Sequence, residues 1–330
     1  MARRVSKKRA RKAPETALTC KDVAFAAERR IYLEGVWGIT GAFIIIAYNV
    51  MYFGVGPPLN QNVLPNAPLY GKWWLPLIIV AYPFVSWLVA NALAVRPRRK
   101  LLKEAGMSAR VLNKSHPRLK AVLVDQARLL GLAEPEMYVL HDEAAYMYSM
   151  PGKGANIIIT TDSLVTGLDD DELATMIARE MGHDLCGHVR MAFVLLYMRR
   201  AHAAAKVLLF PITALSMVMK NWLDLIESTA DRAAVLIMGR PAIVNETLVK
   251  AGVITDRNAE ISREELDAFL AGATDLTTDA AQIERHYKMG EFLDSQPHLR
   301  ERIEEIRTFP RTEQGEAAMQ KMEETRQKLL

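Results

Sequence analysis

The segment IAREMGHDLCGH, from Ile177 to His188, holds the residues of this chain best suited to chemistry. On an α-helix, residues four apart differ by about 40° in azimuth, so positions 179 and 183 share one face. In the pattern HExxH those two positions are imidazoles gripping zinc, and the glutamate after the first is the general base for a metal-bound water. This chain keeps the glutamate, Glu180, and the second imidazole, His183, but carries Arg179 where the first imidazole belongs. A third ligand has to come from another helix, and ESTAD offers Glu227 with Asp231 one turn further on.

Arg179 changes what such a site can do. A guanidinium stays protonated and has no lone pair to give a metal. His183 and Glu227 together fall short of the three protein ligands that a catalytic zinc normally has. His188 lies five residues past His183, about 140° round a continuing helix, and is expected to face elsewhere. His116, His141, His202, His286 and His298 reach the site only if the chain doubles back. The planar fork of Arg179 suits a bidentate pair with Glu227, with Glu180 sharing it, against the blander reading of a solvated arginine. Asp231 is expected to cap or orient its neighbours rather than bind metal. Cys186 reads as a packing residue on the motif helix.

The elements that must position these residues are legible from pattern. Asp169 to His188 reads as the motif helix, opened by acids that suit a helix N-terminus, with Asp169 and Glu172 resembling a capping box. Trp222 to Gly239 reads as the helix carrying Glu227 and Asp231, stopped by Gly239 and Pro241. Ahead of the motif, a helix with apolar Leu119, Val122, Leu123, Ala127 and Leu130 stops at Gly131 and leads to a strand at Met137 to Leu140. A second strand is predicted at Ala155 to Thr160. Further helices are predicted at SREELDAFLAG (262–272), at QPHLRERIEEIRTF (296–309) and from Glu313 onward. A small sheet embedded in helices is α+β.

Two other stretches are far too apolar for a small soluble domain. Val36 to Val55 runs 20 residues without a charge and Trp73 to Val95 runs 23. Each spans a hydrocarbon core of roughly 30 Å at 1.5 Å per residue. Trp37, Tyr52, Trp73 and Trp74 fall near the ends, where amphipathic rings prefer the interface. Arg29 and Arg30 precede the first span, Arg96 to Lys100 hold four more cations after the second, and the connecting loop carries only Lys72. By the positive-inside rule both termini and the soluble part are expected in the cytoplasm, in a multi-pass protein of the inner membrane. KDVAFAAERRIYLEG, before the first span, reads as a short interfacial helix. A third apolar stretch, Ala203 to Met219, is interrupted by Lys206 and Pro211 and reads as a buried or interfacial helix pair, with a membrane-dipping hairpin as the alternative.

Seven of the first twelve residues are basic, so the remaining chain is net acidic although the whole carries +4. The tail lacks interleaved aromatics or any nucleic-acid fold signature, and anionic lipid is its expected partner rather than nucleic acid. No apolar stretch directly follows it, so no cleavable signal is expected. Cys20 and Cys186 make no disulfide framework and suit a reducing compartment. The expected organisation is a basic tail and interfacial segment (1–30), a transmembrane hairpin (31–99), a soluble domain (100–310) and a charged C-terminal helix (311–330).

The order of these elements resembles the membrane-bound zinc metallopeptidases of family 48, which include the HtpX-type heat-shock proteases and the CAAX prenyl proteases. That family has a consensus of the form DDELxAVLAHELGHxxxxH followed by ExxAD; this chain reads DDELATMIAREMGHDLCGH and then ESTAD. PEMYVLHD and NIIITTDSLVTGL are similar to the family's strands, and GRPAIVNETLVKAG and QPHLRERIEEI to its later elements, so the resemblance runs roughly from Ser115 to Arg307. It implies a mainly helical, zincin-like domain, with Glu180 at the general-base position and His183 and Glu227 at ligand positions. Three departures stand out. They are Arg179 at the first ligand position, AAYM (Ala144 to Met147) in place of an NAFA-like edge-strand element, and Gln296-Pro297 in place of His-Pro. The expectation is a membrane-anchored pseudopeptidase, without cofactor, acting as a scaffold or regulatory subunit with a membrane-protein partner. The alternative is an active zinc endopeptidase of membrane quality control with a rearranged ligand set.

Overall fold

The computed structural model describes residues 18–55, 69, 72–105, 110–111, 115–142, 144–152, 154–255 and 299–329. The basic tail, most of the inter-span loop, the predicted helix at 262–272, His286 and His298 lie outside the described residues. In chain order come α1 (Cys20–Val23), α2 (Ala26–Asn49) with a π-helical turn at Val50–Val55, and α3 (Trp74–Ala105). They are followed by α4 (Pro117–Leu130), β1 (Glu136–Leu140), β2 (Met147–Met150), β3 (Ile157–Thr161), α5 (Asp162–Gly167) and α6 (Asp170–Leu185). The rest is helical: α7 (Val189–Arg200), α8 (Ala203–Leu208), α9 (Phe210–Val218), α10 (Lys220–Met238), α11 (Pro241–Thr255), α12 (Leu299–Thr308) and α13 (Glu313–Leu329). This is a mostly helical α+β fold with one small sheet, as the pattern implied.

Contacts divide the described residues into two compact units, one drawn from within Met1–Phe25, Ala105–Val189 and Asp224–Leu330, the other from within Ala26–Glu104 and Arg190–Leu223. In the first, β3 is the central strand, parallel to β1 and antiparallel to β2. Its five residues, Ile-Ile-Ile-Thr-Thr, are all buried, as a strand covered on both faces requires. AAYM leads into the edge strand β2, which pairs Met147 with Thr160.

Helix α6 is the centre of this unit, with every residue from Glu172 to His183 buried. The capping box forms: Glu172 N donates to Asp169 Oδ1 at 2.8 Å and Asp169 N to Glu172 Oε2 at 2.7 Å. Lys250 on α11 then pairs with the buried Glu172 carboxylate at 2.8 Å. Gly182 lets α10 approach closely, because a Cβ there would lie 2.6 Å from the Ala233 Cβ. Only glycine brings the faces bearing residues 179–183 and 227–231 this near to each other. Residues 18–25, which include the start of the segment 21–35 read from sequence as interfacial, pack on this unit. Val23 is fully buried, and Gln314 on α13 donates to the carbonyls of Lys21 and Ala24, each at 3.1 Å.

The second unit holds two helices long and apolar enough to cross a membrane, Ala26–Phe53 and Trp74–Arg96. The first is continuous from Ala26, so Arg29 to Gly35 belong to the same long apolar helix rather than to a separate short one. The third apolar stretch is a helix pair broken at Leu209, where Pro211 cannot donate a backbone bond. The break is satisfied internally: Tyr82 on α3 donates to the Leu208 carbonyl at 2.7 Å, and the Thr213 hydroxyl to that of Lys206 at 3.0 Å. Leu209, Ile212 and Leu215 face inward while Val207, Leu208, Phe210, Met217 and Val218 stay exposed.

Candidate functional site

Glu180 and His183 lie on α6, Glu227 and Asp231 on α10, and the two helices bring all four together with Arg179. Arg179 is 5 % exposed and its fork reaches two carboxylates. Nε donates to Asp231 Oδ1 at 2.7 Å and Nη2 to Glu227 Oε2 at 2.8 Å. The expected bidentate pair with Glu227, shared by Glu180, is therefore corrected: the guanidinium divides its hydrogen bonds between Glu227 and Asp231, two carboxylates one turn apart. The reason is helical spacing, since residues 227 and 231 present their carboxylates on one face of α10.

A second guanidinium completes the arrangement, one that sequence reasoning did not single out. Arg302 on α12, 2 % exposed, donates from Nε to Asp231 Oδ2 at 2.7 Å and from Nη2 to Oδ1 at 2.8 Å. Asp231 is wholly buried and lies between two arginines. Arg302 falls within QPHLRERIEEI, quoted above for its order along the chain. Its role was invisible there because nothing in sequence says which face of α12 meets α10.

The electrostatics follow from burial among paired charges. Burial opposes ionisation of Glu227, yet the charges of His183, Arg179 and Arg302 outweigh it and hold the carboxyl well below its usual range. Burial also opposes protonation of His183, but Glu227, with Oε1 3.5 Å from Nε2, and Glu180 push its pKa up. Burial pushes the Glu180 carboxyl up, only partly offset by His183, Ser149 and Arg179. Burial disfavours the charged form of Arg179, and Asp231, Glu227 and Glu180 more than restore it.

His188 is not where a continuing helix would put it. α6 ends at Leu185, Gly187 turns the chain at φ +70°, and the buried His188 ring comes to rest edge-on to that of His183, with centroids 5.8 Å apart. Among the other described histidines, His116 precedes α4, His141 pairs with Asp162 on the surface, and His202 precedes α8. Cys186 is also more than a packing residue. Its sulfur is bonded to that of Cys20 across 166 residues of sequence, which corrects the expectation that these two cysteines form no disulfide: the fold brings the segment around Cys20 against the end of α6.

Two predictions follow from the charges. Asp231→Ala leaves two buried guanidiniums facing each other and should cost about 3–5 kcal/mol of unfolding free energy. Chemical denaturation measures it, and a loss below about 1 kcal/mol would show the cluster to be hydrated. Glu227, with its folded value below the unfolded one of 4.5, contributes stability above that value and loses it as pH falls. Stability should therefore drop more steeply below about pH 4.5 in the wild type than in Glu227→Gln. Urea unfolding across the acid range decides it; parallel curves would remove Glu227 from the account.

The model of peptidase family M48 matches residues 113–309. Over 153 residues the chain is 31 % identical to the plastoglobule-localized metallopeptidase 48 of the Arabidopsis thaliana chloroplast; the alignment covers 46 % of this chain and 44 % of that protein. The chain thus spans less than half the length of that relative. No solved structure matches. M48 proteins generally depend on zinc, and the side chains here do not fit one. Arg179 lies on the carboxylate a metal would need, and His183 is the one other donor of the family pattern beside it. Because the match takes in α6 and the carboxylates of α10 alike, the chain belongs to peptidase family M48.

Proposed function

We propose that this protein is a membrane-anchored pseudopeptidase, an M48 domain that binds protein partners as a scaffold or regulatory subunit of a membrane complex instead of cutting them. The supporting observation is the Arg179 guanidinium, hydrogen-bonded to both Glu227 and Asp231. A cation that cannot bind water as a Lewis acid fills the place beside Glu180 where one is needed. Glu180 has no activated water to deprotonate, and burial favours its neutral form. What remains is the family's scaffold, with the pair of charges closing it in the absence of metal.

Arg179→His tests this on the detergent-solubilised full-length protein. The wild type should carry no zinc at His183 and Glu227 and should not cleave casein; the variant should gain metal, and proteolysis with it if Glu180 is still well placed. One equivalent of zinc in the wild type, lost in Glu227→Gln and accompanied by cleavage that chelator and Glu180→Gln abolish, would establish the active alternative.

The anchoring part of the reading rests on the two long apolar helices and their flanks. Lys72 is the one cation of the connecting loop, against Arg29 and Arg30 before the first helix and Arg96, Arg98, Arg99 and Lys100 after the second. The M48 domain then lies on the cytoplasmic side, with the basic tail against anionic lipid. Protease added outside intact spheroplasts should leave residues 115–330 uncut and digest them once the membrane is opened; digestion in intact cells would reverse the orientation.

A further inference from the structure

The turn after α6 gathers a second set of metal-binding side chains, separate from Arg179 and its carboxylates. The reversal at Gly187 brings the buried His188 back beside Cys186, and Cys20 arrives from the other end of the sequence. Both sulfurs and a ring nitrogen of His188 lie within 4.8 Å of one another. Donors around a tetrahedral ion with bonds of about 2.0–2.3 Å stand about 3.3–3.8 Å apart, within that span.

The bond between the sulfurs is not the sole tie of the segment around Cys20 to its unit. Arg232 donates to the Val23 carbonyl at 3.2 Å and its guanidinium carbon stacks 3.5 Å from the Phe25 ring centre. Lys321 pairs with Asp22 at 2.7 Å, and Gln314 holds the carbonyls of Lys21 and Ala24. Opening the disulfide leaves two thiols and an imidazole gathered on a folded surface, which lowers the cost of assembling a site.

We propose that the reduced protein binds a zinc-class, thiophilic divalent ion through Cys20 Sγ, Cys186 Sγ and a ring nitrogen of His188, with the fourth position open to water. Thiolate and imidazole are the donors such ions favour, and two thiolates balance the ion's charge. Both cysteines are part-exposed, which gives the ion an entry path and leaves room for the fourth ligand. Disulfide and metal exclude each other. Two molecules of an external thiol reduce the disulfide and become a disulfide themselves; their two protons pass to Cys20 and Cys186, which release them when the ion binds. This ligand set contains neither Glu227 nor Arg179, so it stands or falls separately from the pseudopeptidase reading.

The experiment uses the full-length protein in detergent, reduced with a phosphine under argon, stripped of metal and titrated with Co2+ as optical probe, then Zn2+. One equivalent of Co2+ should bind with an intense near-ultraviolet thiolate-to-metal band that Zn2+ abolishes, and the oxidised protein should show none. Cys20→Ser and Cys186→Ser should lose the band, and His188→Gln should weaken binding on the order of tenfold or more. Folded Glu227→Gln should bind as the wild type does. Circular dichroism confirms folding, and Cys20→Ser, at a part-exposed position, serves if His188→Gln fails to fold. Two reactive thiols without a cobalt band overturn the proposal, as does a band that survives in Cys20→Ser or disappears in folded Glu227→Gln.

Discussion

A fully buried carboxylate has to recover its lost hydration from the protein around it, or it drives the fold apart. Asp231 recovers it from two guanidiniums, Arg179 on α6 and Arg302 on α12, in three hydrogen bonds of 2.7–2.8 Å. Those contacts join segments separated by 52 and 71 residues of sequence. Each arginine is itself buried and tolerable only because the carboxylates are there, so no member of the cluster is stable without the others. Glu227 extends the chain of charge to His183, and the motif helix is thereby held in register with α10.

The backbone around the cluster is built for that closeness. Gly182 removes the one Cβ that would hold α6 and α10 apart, and the Asp169–Glu172 box with Lys250 fixes where α6 begins. A metal site and an ion-pair cluster make different demands on such a frame. A metal ties the fold to ion supply and to the deprotonation of its ligands, whereas a guanidinium arrives with its charge and never titrates in the accessible range. The guanidinium cannot polarise a water or a carbonyl as a metal does, so the exchange keeps architecture and gives up Lewis acidity.

The apolar unit obeys a different constraint. Within it, the broken α8–α9 pair has its freed carbonyls taken up by Tyr82 and Thr213, the kind of internal satisfaction that irregular backbone needs wherever water is scarce. The ring of Tyr82 also packs against Phe43 with centroids 5.7 Å apart, so one side chain links both long helices to the helix pair.

Much of this was written in local pattern. Uninterrupted apolar runs marked the two long helices, Asp169 and Glu172 marked the start of α6, Gly131 and Gly239 marked helix ends, and the ordered motifs marked the family. These features depend on neighbours within a turn or on segment length, so sequence carries them directly. Helical spacing put residues 179 and 183 on one face, and the resemblance to the family, which supplies Glu227 as a ligand position, made Arg179 legible as a cation beside it. What only the tertiary structure decided depends on how distant segments meet. The division of the Arg179 fork between two carboxylates, the arrival of Arg302, the return of His188 through Gly187, the meeting of Cys20 with Cys186 and the packing of residues 18–25 on α13 each need a relative placement of elements. That placement comes from burying the whole core at once, and no spacing within a single helix encodes it.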